Sequence, residues 1–282
     1  RSGLESAVFQ WKVECSRLIP DSNHTYRYRT VISSFNEIGI EGLEADMSFF
    51  KDLFAGKKAR VKTPEERKAA SIQRLKKEGI PYIEHLPVIE SAEQVRPRSL
   101  EEIARRAITS LLIIQAALDI ENNNYNEESR QWLQDKLQQY GVQEELTPKE
   151  RAVLEDRADP AAIINMVWKY EAYWSLIWYL GLVDALPFPD KICDCDAAID
   201  AVASAVDFQE FLRKCQPRSL EELLDEDDLI YRYHWACVDA RIHDQPASAG
   251  LDESVVLERR SGLDWLLGLN TAQDWDAVEL HT

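Results

Sequence analysis

Four stretches of this 282-residue chain open with the same local chemistry, and that chemistry starts helices. Thr63-Pro64-Glu65-Glu66 and Thr147-Pro148-Lys149-Glu150 each place a Thr at the cap, Pro at the first helical position and Glu at the third. Ser99-Leu100-Glu101-Glu102 and Ser219-Leu220-Glu221-Glu222 do the same without the Pro. In each case the hydroxyl and the Glu carboxylate can satisfy each other's otherwise unpaired backbone N–H. No β-α-β rhythm and no pair of alternating runs joined by hairpin residues interrupts the series. The fold class that follows is all-α: a single irregular multi-helix bundle.

Apolar periodicity predicts helices over about 64–78, 99–120, 126–140, 147–157, 160–183, 196–214, 219–243 and 252–268, with a short turn of helix near 274–280. The Pro81- and Pro87-bounded segment near 80–90 cannot be helical, so it crosses the bundle surface or forms an isolated strand. Pro-Arg-Ser-Leu-Glu-Glu occurs twice, at 97–102 and 217–222, but the flanking residues differ. Two helices capped alike is the economical account of that repeat. The second copy opens the most informative stretch, Pro217 to Asp244. Its rows Leu229–Tyr233–Cys237 and Ile230–His234–Val238–Ile242 form a broad apolar face, so this helix belongs in the middle of the bundle.

Charge bounds the partners. A formal net charge of −17 repels phosphate, which argues against nucleic acid and leaves a basic protein partner open. Five Cys, irregularly spaced, suit a reducing cytoplasm. The most apolar run, Ala161 to Val183, carries Asn165, Lys169 and Glu171, and its uncharged part is too short to cross a bilayer.

The beginning of the chain reads differently. Residues 1–46 have mixed composition and weak periodicity, and fit either an atypical, non-native N-terminal extension or a genuine subdomain. Residues 47–62 form an amphipathic, basic arm: Phe49, Phe50, Leu53 and Phe54 fall on one side, followed by Lys57, Lys58, Arg60 and Lys62. Such an arm docks its Phe residues on the parent domain, or lies peripherally on an anionic membrane through residues 49–62.

Candidate chemistry is sparse. Glu171 shares a helix face with Trp168, Trp174 and Trp178, and a carboxylate among indoles is either an acid/base group or one half of a structural ion pair with Arg105, Arg106, Arg232 or Arg241. His234, with Arg232 and Asp239 close by, is either a base or a core histidine hydrogen-bonded to Glu171 or Asp239. Asp239 and His243 have the spacing of two metal ligands, yet nothing nearby completes a site. Cys193-Asp194-Cys195 with two isolated cysteines is not a recognised ligand spacing either. No metal is therefore expected. Glu84, His85 and Glu90 sit where an extended backbone could present them at a cleft mouth, while Glu258-Arg259-Arg260 reads as a salt-bridged surface or helix–helix contact. No glycine-rich phosphate loop, GxSxG or HExxH is present, so no cofactor is expected.

The order of several segments carries a resemblance. TPEERKAASIQRLKKEGIPYIEHLPVIES is followed by RSLEEIARRA and WKYEAYWSLIWYLGLVDALPFPDKICDCD, then by RSLEELLDEDDLIYRYHWACVDA, SVVLERRSGLDWLL and DWDAVELHT. Together, over about residues 63–282, they resemble the bacterial domain-of-unknown-function family 4272. The resemblance implies a bacterial, soluble, single helical domain and brings no catalytic residues with it. Two functions remain open. One is an acidic protein-binding or regulatory module. The other is an enzyme of hydrolase-like acid/base chemistry that uses Glu171 and His234 in an interhelical cleft.

Overall fold

The computed structural model describes residues 61–269 and 272–282. The expectations for residues 1–46 and for the arm at 47–60 lie outside the described residues. Within them the chain is helical: α1 (Pro64–Glu78), α2 (Leu100–Glu121), α3 (Glu127–Tyr140), α4 (Pro148–Leu154), α5 (Pro160–Trp168), α6 (Tyr170–Tyr179), α7 (Cys195–Ala203), α8 (Phe208–Lys214), α9 (Leu220–Ile242) and α10 (Glu253–Leu266). Short 3-10 turns occupy Gln143–Glu145 and Ser248–Gly250. No strand occurs among the described residues, so the class is all-α.

The four helix starts form as their chemistry dictates. Thr63, Thr147 and Ser219 close full capping boxes with Glu66, Glu150 and Glu222, and the Ser99 side chain accepts from the Glu102 N–H. Three expected elements differ. The run 160–183 breaks at Lys169, whose N–H bonds back only three residues, to Met166, so α5 packs on α2 while α6 turns onto α10. Both halves are apolar, so periodicity could not reveal the break. The run 196–214 divides because Asp207 caps a new helix, its carboxylate 2.7 Å from the Glu210 N–H. Residues 274–280 form a turn at 275–276 followed by irregular chain, and Trp275 stacks edge-on against Trp265 with centroids 5.2 Å apart.

The Pro-bounded segment crosses the surface as extended chain with a turn at 84–86, burying Ile80, Leu86 and Ile89 beneath it. Lys68 donates to the Leu86 carbonyl, and Arg232 donates to that of Pro87. Glu84, His85 and Glu90 are exposed along it.

At the centre, α6 and α10 make the most extensive helix contact. Gly262 allows it: a Cβ there would lie 2.6 Å from the Ala172 carbonyl oxygen and 2.9 Å from the Ser175 side chain. Ser175 Oγ bonds the Arg259 carbonyl at 3.2 Å, tying the two backbones together. Helix α2 packs on α6, and α9 packs on α10.

The repeated hexamer proves to be a tertiary device as well as a cap. Arg98 and Arg96 N–H groups bond the carbonyls of Leu266 and Leu267, and Arg218 and Gln216 N–H groups bond those of Tyr179 and Leu180. Each hexamer thus clamps a Trp-x-Leu-Gly-Leu helix end, at Trp265–Leu269 or Trp178–Leu182. The helix that follows each clamp packs on the other central helix. The two clamps are therefore reciprocal.

Candidate functional site

Consecutive residues on a helix point about 100° apart, so adjacent arginines on α10 serve different neighbours. Arg259 faces α6. Its Nε donates to Glu171 Oε2 at 2.8 Å and its Nη1 to the Pro187 carbonyl, while Nη2 has no partner. Glu171, 1 % exposed, also accepts the Cys193 N–H. Its expected role as half of an ion pair holds, but the partner is Arg259 and not Arg105, Arg106, Arg232 or Arg241. The signal missed was the neighbouring pair Arg259-Arg260, which sequence reasoning placed only as a surface or a helix–helix contact.

Arg260 faces α9. Its Nη1 lies 2.6 Å from His234 Nδ1, its Nη2 donates to the His281 carbonyl, and its guanidinium stacks over Tyr231 at 4.6 Å. Arginine only donates, so Nδ1 is the bare nitrogen of a neutral ring. Burial, reinforced by the positive charges of Arg260 and Arg241, pushes the His234 imidazole down to about 4. The core placement of His234 is correct. The expected carboxylate acceptor is replaced by a guanidinium donor, which is the opposite polarity.

Arg232 is committed elsewhere. It grips Asp228 one turn back through two bonds, 2.9 and 2.6 Å, with both side chains buried. Asp239 is half-exposed, and its carboxylate lies 3.6 Å from His243 Nδ1. The structure therefore gives Glu171, His234, Arg232 and Asp239 separate partners rather than a shared cleft. Among the described residues, no group of three or more His, Cys, Asp or Glu side chains could hold a metal ion.

Two features went unseen in the sequence. Asp227 and Asp264, both buried, face each other across α9 and α10; burial first, then the other's charge, pushes the Asp227 carboxyl well up, so the pair retains a proton. A recess lies between α1, α9, α10 and the 186–189 loop, lined by Arg74, Glu226, Tyr233 and Arg259 among apolar Leu186, Pro187, Pro189, Leu229, Ile230 and Leu263. Burial raises the Glu226 carboxyl, against the opposing charge of Arg74. Tyr233 donates to Glu78 across the same wall. Neither Glu171 nor His234 lines this recess. Glu226 escaped notice because it lies among the carboxylates that decorate the first turns of α9.

No helix of the described residues is long and apolar enough to cross a membrane. No curated protein and no solved structure matches the chain. The model of a family described as a domain of unknown function, family 4272, matches residues 67–278. That span takes in both clamps, the α6–α10 centre and every candidate residue above, and the chain belongs to domain-of-unknown-function family 4272.

Proposed function

We propose that this chain is a protein-binding or regulatory module that covers a basic surface on a partner protein. The observation that carries this reading is the state of the reactive candidates. Glu171, Arg232 and His234 are each at most 4 % exposed and each is hydrogen-bonded to another protein group. Groups held this way serve packing, and they leave the exposed acidic surface of a chain with net charge −17 as the feature open to a partner. The alternative, acid/base catalysis by Glu171 and His234, lacks a shared cleft, because each is held by a different arginine.

In-cell cross-linking of the full chain, followed by reconstitution with the purified partner, tests the reading. A basic contact surface on that partner is expected, with a complex that weakens about tenfold or more as salt rises from about 0.05 to 0.3 M. A complex indifferent to salt would overturn it, as would a turnover abolished by Glu171→Gln in a variant of unchanged fold.

A further inference from the structure

Cys193-Asp194-Cys195 lies where the chain leaves the loop after α6 and enters α7. Cys195 is the first residue of α7 and is half-exposed, while Cys193 is 6 % exposed. Cys195 Sγ donates to the Cys193 carbonyl oxygen at 3.7 Å, which holds its thiol against the Cys193 residue. Asp194 holds the turn in place by accepting the Ala197 N–H at 3.1 Å. Behind the pair, the Glu171 carboxylate accepts the backbone N–H of Cys193. One thiol is therefore partly exposed and its neighbour is shielded, with a carboxylate behind the shielded residue.

We propose that Cys193 and Cys195 form a thiol–disulfide exchange site whose substrate is a low-molecular-weight disulfide. Cys195, as thiolate, attacks one sulfur of the disulfide; the S–S bond breaks, a mixed disulfide forms on Cys195, and the first small thiolate leaves. Cys193 then gives up its proton to solvent and attacks the Cys195 sulfur, which releases the second small thiolate. The two protons lost by the cysteines end on the two released thiols. The protein dithiol is oxidised by two electrons and the small disulfide is reduced to two thiols.

The environment supports this division of labour. The neighbouring Cys195 thiol, then burial, then the Glu171 charge hold the Cys193 thiol well up, which makes Cys193 the poorer first nucleophile of the two. Two other cysteines are poor competitors, since burial pushes Cys215 up to about 11 and Cys237 up to about 12.

The test is to expose the reduced full chain to excess oxidised glutathione, quench with acid and cleave after Lys191 and Arg213, which isolates Cys193 and Cys195 in one peptide. The wild-type peptide should lose two hydrogen atoms and carry no glutathione. Cys193→Ser should trap one glutathione on Cys195, and Cys195→Ser should leave Cys193 unmodified. A wild-type peptide that keeps glutathione without an internal disulfide, or that stays fully reduced, overturns the proposal, and this reading needs neither variant to fold.

Discussion

Arg98 places its Nε 2.9 Å from the Trp265 carbonyl, and Arg218 places its Nε 3.0 Å from the Trp178 carbonyl, so two arginines from identical hexamers close opposite ends of the α6–α10 pair. Each also stacks over the indole whose carbonyl it binds, at 4.2 and 5.0 Å, and each bonds the Glu four residues on. The last carbonyls of a helix have no intrahelical donor, and here a fork-shaped guanidinium from another helix start supplies one. Lysine could not do this, since it lacks the planar fork that stacks and donates at once.

Replacing either arginine should therefore cost stability even when the charge is kept. Arg98→Lys and Arg218→Lys are each expected to lose about 1.5–3 kcal/mol in denaturant unfolding. Losses under about 0.5 kcal/mol, the range of ordinary surface changes, would mean that the clamps are incidental.

Glycines at the clamped ends answer to a second constraint. Gly268 has φ +64, and a Cβ there would run into the Arg96 carbonyl, whereas Gly79 has φ +71 with nothing within 4 Å. Gly79→Ala should cost only the left-handed backbone penalty of about 1–2 kcal/mol. Gly268→Ala should cost at least about 2 kcal/mol more, because the clamp must open. Equal melting shifts for the two would refute the close approach.

His234 should make stability depend on pH in a definite direction. Its folded value of about 4 lies below the unfolded value of about 6.5, so the unfolded chain binds the proton more readily. The contribution is intact above pH ~6.5 and is lost as pH falls towards 4, by at most about 3 kcal/mol. His234→Gln keeps an acceptor for Arg260 and does not titrate. The stability gap between wild type and His234→Gln, followed from pH 7 to pH 4, should shrink by that amount, and a constant gap would place the imidazole outside the core.

Asp227 should act with the opposite sign. Its carboxyl is raised in the folded state, so the native chain holds a proton that the unfolded chain releases near pH 4. Stability from the pair is full below the unfolded value and declines as pH rises through the folded one. Asp227→Asn supplies a permanent N–H to Asp264, so the variant should gain on wild type by more than about 1 kcal/mol between pH 4 and pH 8. A variant that gains nothing on wild type over this range would exclude a shared proton.

Glu171 and Arg259 should behave as a unit. Glu171→Leu strands a buried guanidinium and should cost about 3–5 kcal/mol. The double change Glu171→Leu with Arg259→Met removes both charges and should cost less than the single change. Additive losses in a double-mutant cycle would show that the 2.8 Å contact carries no coupling.

Local rules carried the reading of helices furthest. Thr63, Thr147 and Ser219 caps are satisfied within three residues, and the rows through Leu229, Tyr233 and Cys237 are buried as their spacing requires. The companion row fades, from His234 at 4 % exposure to Ile242 at 69 %. The helix break at Lys169 was invisible, since it follows from where α2 and α10 stand and not from any breaker residue.

The candidate site was legible only as a set of residues. That Glu171 is buried and paired, and that His234 lies in the core, follows from their apolar surroundings in the sequence. Which arginine each would meet depended on the rotation and axial offset of α10 against α6 and α9. A shift of one position along α10 exchanges Arg259 for Arg260 and turns the side chain by about 100°. Likewise the sequence contained both Pro-Arg-Ser-Leu-Glu-Glu copies and both Trp-x-Leu-Gly-Leu ends, but not which copy clamps which end. Capping and periodicity are settled within a few residues of chain, so the sequence by itself determined where helical segments start and which faces they bury, though not the break at Lys169. Pairing between helices is settled by packing of whole faces, which the α6–α10 contact at Gly262 fixes, so only the tertiary structure decided the partners.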